Sequence, residues 1–138
     1  MRIENRKKHR EEAIKILYAM EINDKVNSEF IDQYINNNNI EKDSMSYTYE
    51  LLLEYIDNRD KIENIINKEE KNYKFNRISL LDKCIVRLAL AEIEFLDIPI
   101  GVSINEAVEI SKIYSGVDSY KVVNSLLGKI TRSMNDWI

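Results

Sequence analysis

The chain has 138 residues, 44% hydrophobic and 32% charged, with three glycines and one proline. That is enough for one domain with a real core, and it excludes a disordered chain and argues against a β protein, whose turns need more glycine and proline. Net charge is -4, yet residues 1–10 set Arg2, Arg6, Lys7, Lys8 and Arg10 against Glu4, which is +4 and leaves -8 on residues 11–138; an acidic protein that gathers cations at one end is built to meet a polyanion there, or carries a solvated basic tail.

Apolar spacing predicts seven helices. The first runs from about residue 6 to 22, with Ala13, Ile14, Leu17, Tyr18 and Met20 on one face. Arg6 and Arg10 share a helical line with Ala13 and Leu17, and Lys7 shares one with Ile14 and Tyr18, so the cations extend the buried face beyond its edge. Cations at a helix start typically cost about 0.3–1 kcal/mol each, because the backbone dipole is already positive there. Glu11 and Lys15 are spaced for a favourable pair on the wet side.

The second helix, about 28–36, carries Phe30, Ile31, Tyr34 and Ile35 and stops at the asparagine run Asn36–Asn39. The third, about 44–57, has Ser44 or Ser46 as its cap and buries part of Leu51, Leu52, Tyr55 and Ile56. The fourth, about 59–71, has Ile62, Ile65 and Ile66 on a charged helix. The fifth, about 79–96, opens at Ser79 with Asp82 in its first turn, and Leu81, Cys84, Ile85, Leu88, Ala89 and Ile93 mark it as the central helix.

Pro99 and Gly101 mark a turn. The sixth helix, about 102–114, begins near Ser103-Ile104-Asn105-Glu106, which fits a capping box, with Asn105 tying the preceding loop. Gly116 closes it. The seventh, about 119–134, opens at Asp118-Ser119 and carries Val122, Val123, Leu126, Leu127 and Ile130 as a clean stripe.

Catalytic chemistry has little to work with. His9, the only histidine, sits among cations and makes a poor general base; Cys84, the only cysteine, lies on an apolar face and reads as a buried structural thiol. A metal site of His and Cys ligands lacks the residues, and no phosphate-binding glycine loop occurs. No catalytic residue, cofactor or metal ligand is assigned. No apolar run approaches the roughly 20 residues that span a bilayer, and with no disulfide framework a cytoplasmic address is expected.

Four stretches carry a resemblance. Arg10, Glu11, Ala13, Leu17 and Tyr18 stand in register with an arginine-rich first helix. DKCIVRLALAEI matches a central-helix pattern, Pro99 to Ile110 follows P-x-x-V-A-I-N-E-A-V-E-L, and Asp118 to Asn124 follows D-S-x-K-F-V-N. Together, in order and across nearly the whole chain, they resemble the NusB family of bacterial transcription antitermination factors. Val122 stands where the family often has phenylalanine, Ser125 where glycine is common, and Tyr73 in the region of a frequent tryptophan.

The resemblance implies an all-α protein of two small helical bundles, a single RNA-binding domain over 1–138 that is not an enzyme. It implies pairing with NusE, a small-subunit ribosomal protein, and binding of the single-stranded boxA element of nascent RNA. The pair would join an RNA polymerase antitermination complex that supports ribosomal RNA synthesis. Arg6, Lys7, Lys8 and Arg10 are then expected to meet phosphates, with Asp118 and Lys121 beside the same track, and Tyr18 and Asp82 to face NusE. NusB-like proteins also form homodimers that hide the RNA face, and monomer and homodimer both stay open. Two rival readings are an RNA-free all-α adaptor and the detached RNA-binding domain of a ribosomal RNA cytosine methyltransferase, a fusion in which the same helical domain occurs.

Overall fold

A computed structural model describes residues 3–73, 78–116 and 118–135, with side chains for all of these but 3–5, 42–43, 70–73 and 135. Arg2 and the Tyr73 side chain therefore lie outside the described residues. Seven α-helices and one 3-10 turn make up the fold, with no strand among the described residues: α1 Ile3–Ile22, α2 Ser28–Asn37, the 3-10 turn Lys42–Met45, α3 Ser46–Asp57, α4 Arg59–Tyr73, α5 Leu80–Phe95, α6 Ile100–Tyr114 and α7 Ser119–Asn135.

Local chemistry sets most boundaries. Extended Asn27 caps α2 by accepting the Phe30 N–H at 2.9 Å. The asparagine run ends it, with Asn39 at φ 54°, a left-handed value asparagine tolerates. Ser79 caps α5 through the Asp82 N–H at 3.2 Å. Gly116, at φ 105°, makes the turn between α6 and α7 that a residue with a Cβ would strain.

Two expected caps are placed differently. The Ser44 hydroxyl donates to the Glu41 carbonyl at 2.7 Å inside the 3-10 turn, and Ser46 is already helical, so neither caps α3. α6 starts at Ile100, because Pro99 supplies the first acceptor carbonyl to the Ser103 N–H at 3.0 Å. Ser103 thus lies in the first turn and not before it. Glu106 closes no capping box and Asn105 is an exposed helical residue.

α5 is the central element. Cys84, Ile85, Val86, Leu88, Ala89, Leu90 and Ala91 are all buried, and α5 packs on α1, α3, α4, α6 and α7. α1 and α3, with α2 beside them, cover one side; α6 and α7 cover the other, and α4 joins α7 to α5. Ile16, Leu17 and Met20 of α1 and Leu51, Leu52 and Tyr55 of α3 fill the first half, while Val123, Leu126, Leu127 and Ile130 of α7 fill the second. Each such side chain contributes about 1.5–3 kcal/mol by leaving water.

A polar staple crosses this core. Arg87 donates to Glu63 at 2.8 Å and stands 3.6 Å from Glu21, while the Tyr55 hydroxyl donates to Glu63 at 3.2 Å. Four helices, α1, α3, α4 and α5, are tied by these contacts. Burial alone would lower the Arg87 pKa, but Tyr55, Glu63 and Glu21 outweigh it and raise it, so the guanidinium stays charged.

Candidate nucleic-acid interface

The basic cluster stands on the flank of α1. The helix is already formed at Ile3, which makes Arg6 its fourth residue and puts Arg10 a further turn in. The dipole acts mainly within the first turn, so the terminus itself is a minor part of any anion site here. Lys7 and Lys8 are exposed and Arg6 is half-buried. The Arg6 guanidinium lies over the Tyr47 ring at 4.5 Å from its centroid, and its Nε is buried with no hydrogen-bond partner among the described residues.

Arg10 departs from the expectation of a phosphate-facing cation. It is only 7% exposed, and its Nε donates to Glu92 Oε2 at 2.7 Å. The cause is the helical line it shares with Ala13 and Leu17, which turns it inward, together with a carboxylate in the apolar run of α5. Glu92 also accepts the Tyr47 phenol, and the Ser103 hydroxyl at 2.9 Å. One carboxylate thereby joins α1, α3, α5 and α6. Burial, then the charge of Glu92, holds the Tyr47 phenol far above its usual pKa, so it remains a donor.

His9 packs beside this node. Its Nδ1 accepts the Thr48 N–H at 3.3 Å, and its carbonyl accepts the Thr48 hydroxyl at 2.8 Å. Burial, then Arg6 and Lys8, lower its pKa. Neutral and occupied, it joins α1 to α3.

The C-terminal end of α6 touches α1. The Tyr114 hydroxyl reaches Glu11 at 3.4 Å, and Lys15 Nζ stands 5.7 Å from the Tyr114 ring. Lys15 pairs with Glu12 at 3.6 Å, so the expected partnership with Glu11 gives way to Tyr114. Beyond this corner Asp118 and Lys121 are both exposed and paired with each other at 3.6 Å. Val122, in place of the aromatic common in the resembling pattern, is half-buried.

The two residues expected at a protein interface differ in kind. Tyr18 is 37% exposed on α1. Asp82 is 3% exposed, and its carboxylate accepts the Ser111 hydroxyl at 3.2 Å, fastening α5 to α6. No hydrogen bond or ion pair joins the two among the described residues.

Tyr47 and Glu92 escaped the sequence reading, and Ser103 entered it only as a helix cap. The available signal was Glu92 itself, an acid among Leu88, Ala89, Leu90 and Ala91, where a buried carboxylate demands a cation. Cys84 is buried and its pKa is pushed up to about 12, chiefly by that burial, which makes the thiol inert. Among the described residues no cluster of three or more His, Cys, Asp or Glu is placed to hold a metal, and no helix is long and apolar enough to cross a membrane.

The NusB family model matches residues 7–132. The chain belongs to the NusB family. The transcription antitermination protein NusB of Alkaliphilus oremlandii is 39% identical over 126 residues, 91% of each chain. That of Clostridium acetobutylicum is 38% identical over 133 residues, 96% of this chain and 98% of its own. Among solved structures, NusB from Aquifex aeolicus superposes with a TM-score of 0.82 at 27% identity, covering 99% of this chain and 92% of that one. T. maritima NusB gives 0.78 at 30% identity, covering 92% and 90%. The chain is thus a NusB-type transcription antitermination factor with the all-α fold of its family, and not an enzyme.

Proposed function

We propose that this NusB-family factor, as a single domain over residues 1–138, binds single-stranded boxA RNA of nascent ribosomal transcripts. It does so together with NusE, as part of an RNA polymerase antitermination complex in the cytoplasm. The observation that carries the reading is the flank of α1: among the described residues Arg6, Lys7 and Lys8 enter none of the ion pairs, on a chain that is otherwise acidic. A polyanion is the ligand such a patch favours, and arginine adds bidentate phosphate contacts.

The α7 corner extends the track. Lys121 supplies a fourth cation, and Asp118 accepts hydrogen bonds from ribose or base. Arg10 holds α1 in place through Glu92, leaving phosphate contact to its neighbours. Tyr18 offers an amphipathic ring to NusE, and Asp82 holds α5 against α6 through Ser111. Four cations at about 0.7 each give a salt slope of log K near -2.8 for a single strand.

Filter binding of boxA RNA, with and without purified NusE, tests the proposal. Salt-dependent retention that tightens when NusE is added is the expected result. No retention in dilute buffer, even with NusE, would leave the RNA-free adaptor reading standing.

A further inference from the structure

Three features go beyond the cationic flank: the Arg87 staple, the Tyr114 corner and the ring beneath Arg6. The staple pairs its charges internally, Arg87 with Glu63 and Glu21, and the corner mixes Lys15 and Lys112 with Glu11, Glu12 and Glu109. The ring beneath Arg6 differs, because its geometry prepares a group for something absent.

Arg6 is a cation with no acidic partner among the described residues. Its guanidinium rests on the Tyr47 face at 4.5 Å, and its Nε is out of solvent with no acceptor among them. That one N–H has already lost water, while the half-buried side chain as a whole still reaches the surface, where an anionic oxygen is the partner a guanidinium favours. Tyr47 is itself held: buried, its hydroxyl spent on Glu92, the ring fixed in one plane. Donating that hydroxyl to a carboxylate enriches the ring, which favours a cation on its face. Arg10 lies 5.9 Å from the same ring, and Glu92 balances its charge. Two guanidiniums thus share one aromatic platform, one neutralised and one open.

We infer that Tyr47 is a positioning residue whose ring holds the Arg6 guanidinium in place for a backbone phosphate of the RNA. The inference rests on the RNA reading above and adds a residue inside the fold that governs a contact on its surface. Tyr47 touches no RNA. It acts through the plane and height at which it holds Arg6, lowering the ordering cost that a free arginine meets on binding.

Salt titrations of boxA RNA binding by the full chain test this, using Arg6→Ala, Tyr47→Phe, Tyr47→Leu and the double variant Arg6→Ala with Tyr47→Leu. Phenylalanine keeps the platform, so Tyr47→Phe should stay within about 3-fold of wild type with an unchanged salt slope. Tyr47→Leu should weaken binding about 3- to 10-fold and flatten the slope toward that of Arg6→Ala, by up to about 0.7. The double variant should lose little beyond Arg6→Ala alone, the mark of residues acting as one unit.

Full additivity, or unaltered binding by Tyr47→Leu, overturns the inference while the RNA reading stands. Absence of binding by the wild type overturns both. Since Tyr47 is buried and its leucine variant risks unfolding, nitrogen-15 NMR of the wild type gives an independent test. The Arg6 Nε–H resonance should lie upfield from the ring current and move on adding RNA. A resonance that stays still at saturating RNA overturns the inference as well.

Discussion

Arg10 and Glu92, 82 positions apart in sequence, meet at 2.7 Å in the interior, and through Tyr47 and Ser103 the pair reaches α3 and α6. Removing one partner strands a buried charge, whereas removing both strands none. Glu92→Leu should therefore cost about 3–5 kcal/mol in urea denaturation. Arg10→Met with Glu92→Leu should recover much of that loss. A double variant no more stable than Glu92→Leu would show that the carboxylate serves Tyr47 and Ser103 more than Arg10.

Lys7 and Lys8 are the contrasting case. Both are exposed, so replacing them should leave the denaturation midpoint within about 0.5 kcal/mol of wild type. Their effect belongs to RNA binding. The double change Lys7→Ala with Lys8→Ala should reduce the salt slope from about -2.8 to about -1.4. An unchanged slope in fluorescence-anisotropy titrations would remove both lysines from the phosphate track.

The contrast shows what periodicity can and cannot read. All seven helices were legible, because α5 and α7 repeat apolar residues at three and four, and Ser79 and Gly116 punctuate them as the physics of caps and turns requires. The α6 start was misplaced, since Ser103 and Glu106 match a capping box while Pro99 already opens the helix. The helical line through Arg6 and Arg10 was visible, but its outcome was not. Whether an arginine at the edge of an apolar stripe faces water or core depends on a partner elsewhere. Glu92 is that partner for Arg10, and Arg6, one turn earlier, rests on the Tyr47 ring. Tyr18, placed by its spacing on the buried face, ends partly exposed because Ile16 takes a core position in its stead.

Tyr18 and Asp82 should separate in experiment. Tyr18→Asp puts a charge on a partly exposed ring position and should leave the fold close to wild type by circular dichroism. It should weaken NusE binding at least about 10-fold, the cost of desolvating a carboxylate in a protein interface. Asp82→Ala should act on stability first, by about 1–3 kcal/mol, since it frees the buried Ser111 hydroxyl. Calorimetry with NusE that finds Tyr18→Asp unaffected would move the interface elsewhere.

His9 links the fold to pH. Its pKa is lowered in the folded state, by burial first and then by Arg6 and Lys8, from an ordinary value of 6.5. In the window between the two values the unfolded chain binds the extra proton, so stability rises with pH across it. The contribution is therefore complete above pH 6.5 and is lost as pH falls toward the folded value. Protonation would also set an imidazolium against the Thr48 N–H that Nδ1 now accepts. The thermal midpoint should drop between pH 6.5 and about pH 5, above the range where carboxylates titrate. His9→Asn, which keeps an acceptor and cannot take up a proton there, should flatten that slope. Equal slopes for the two proteins would assign the pH dependence to other groups.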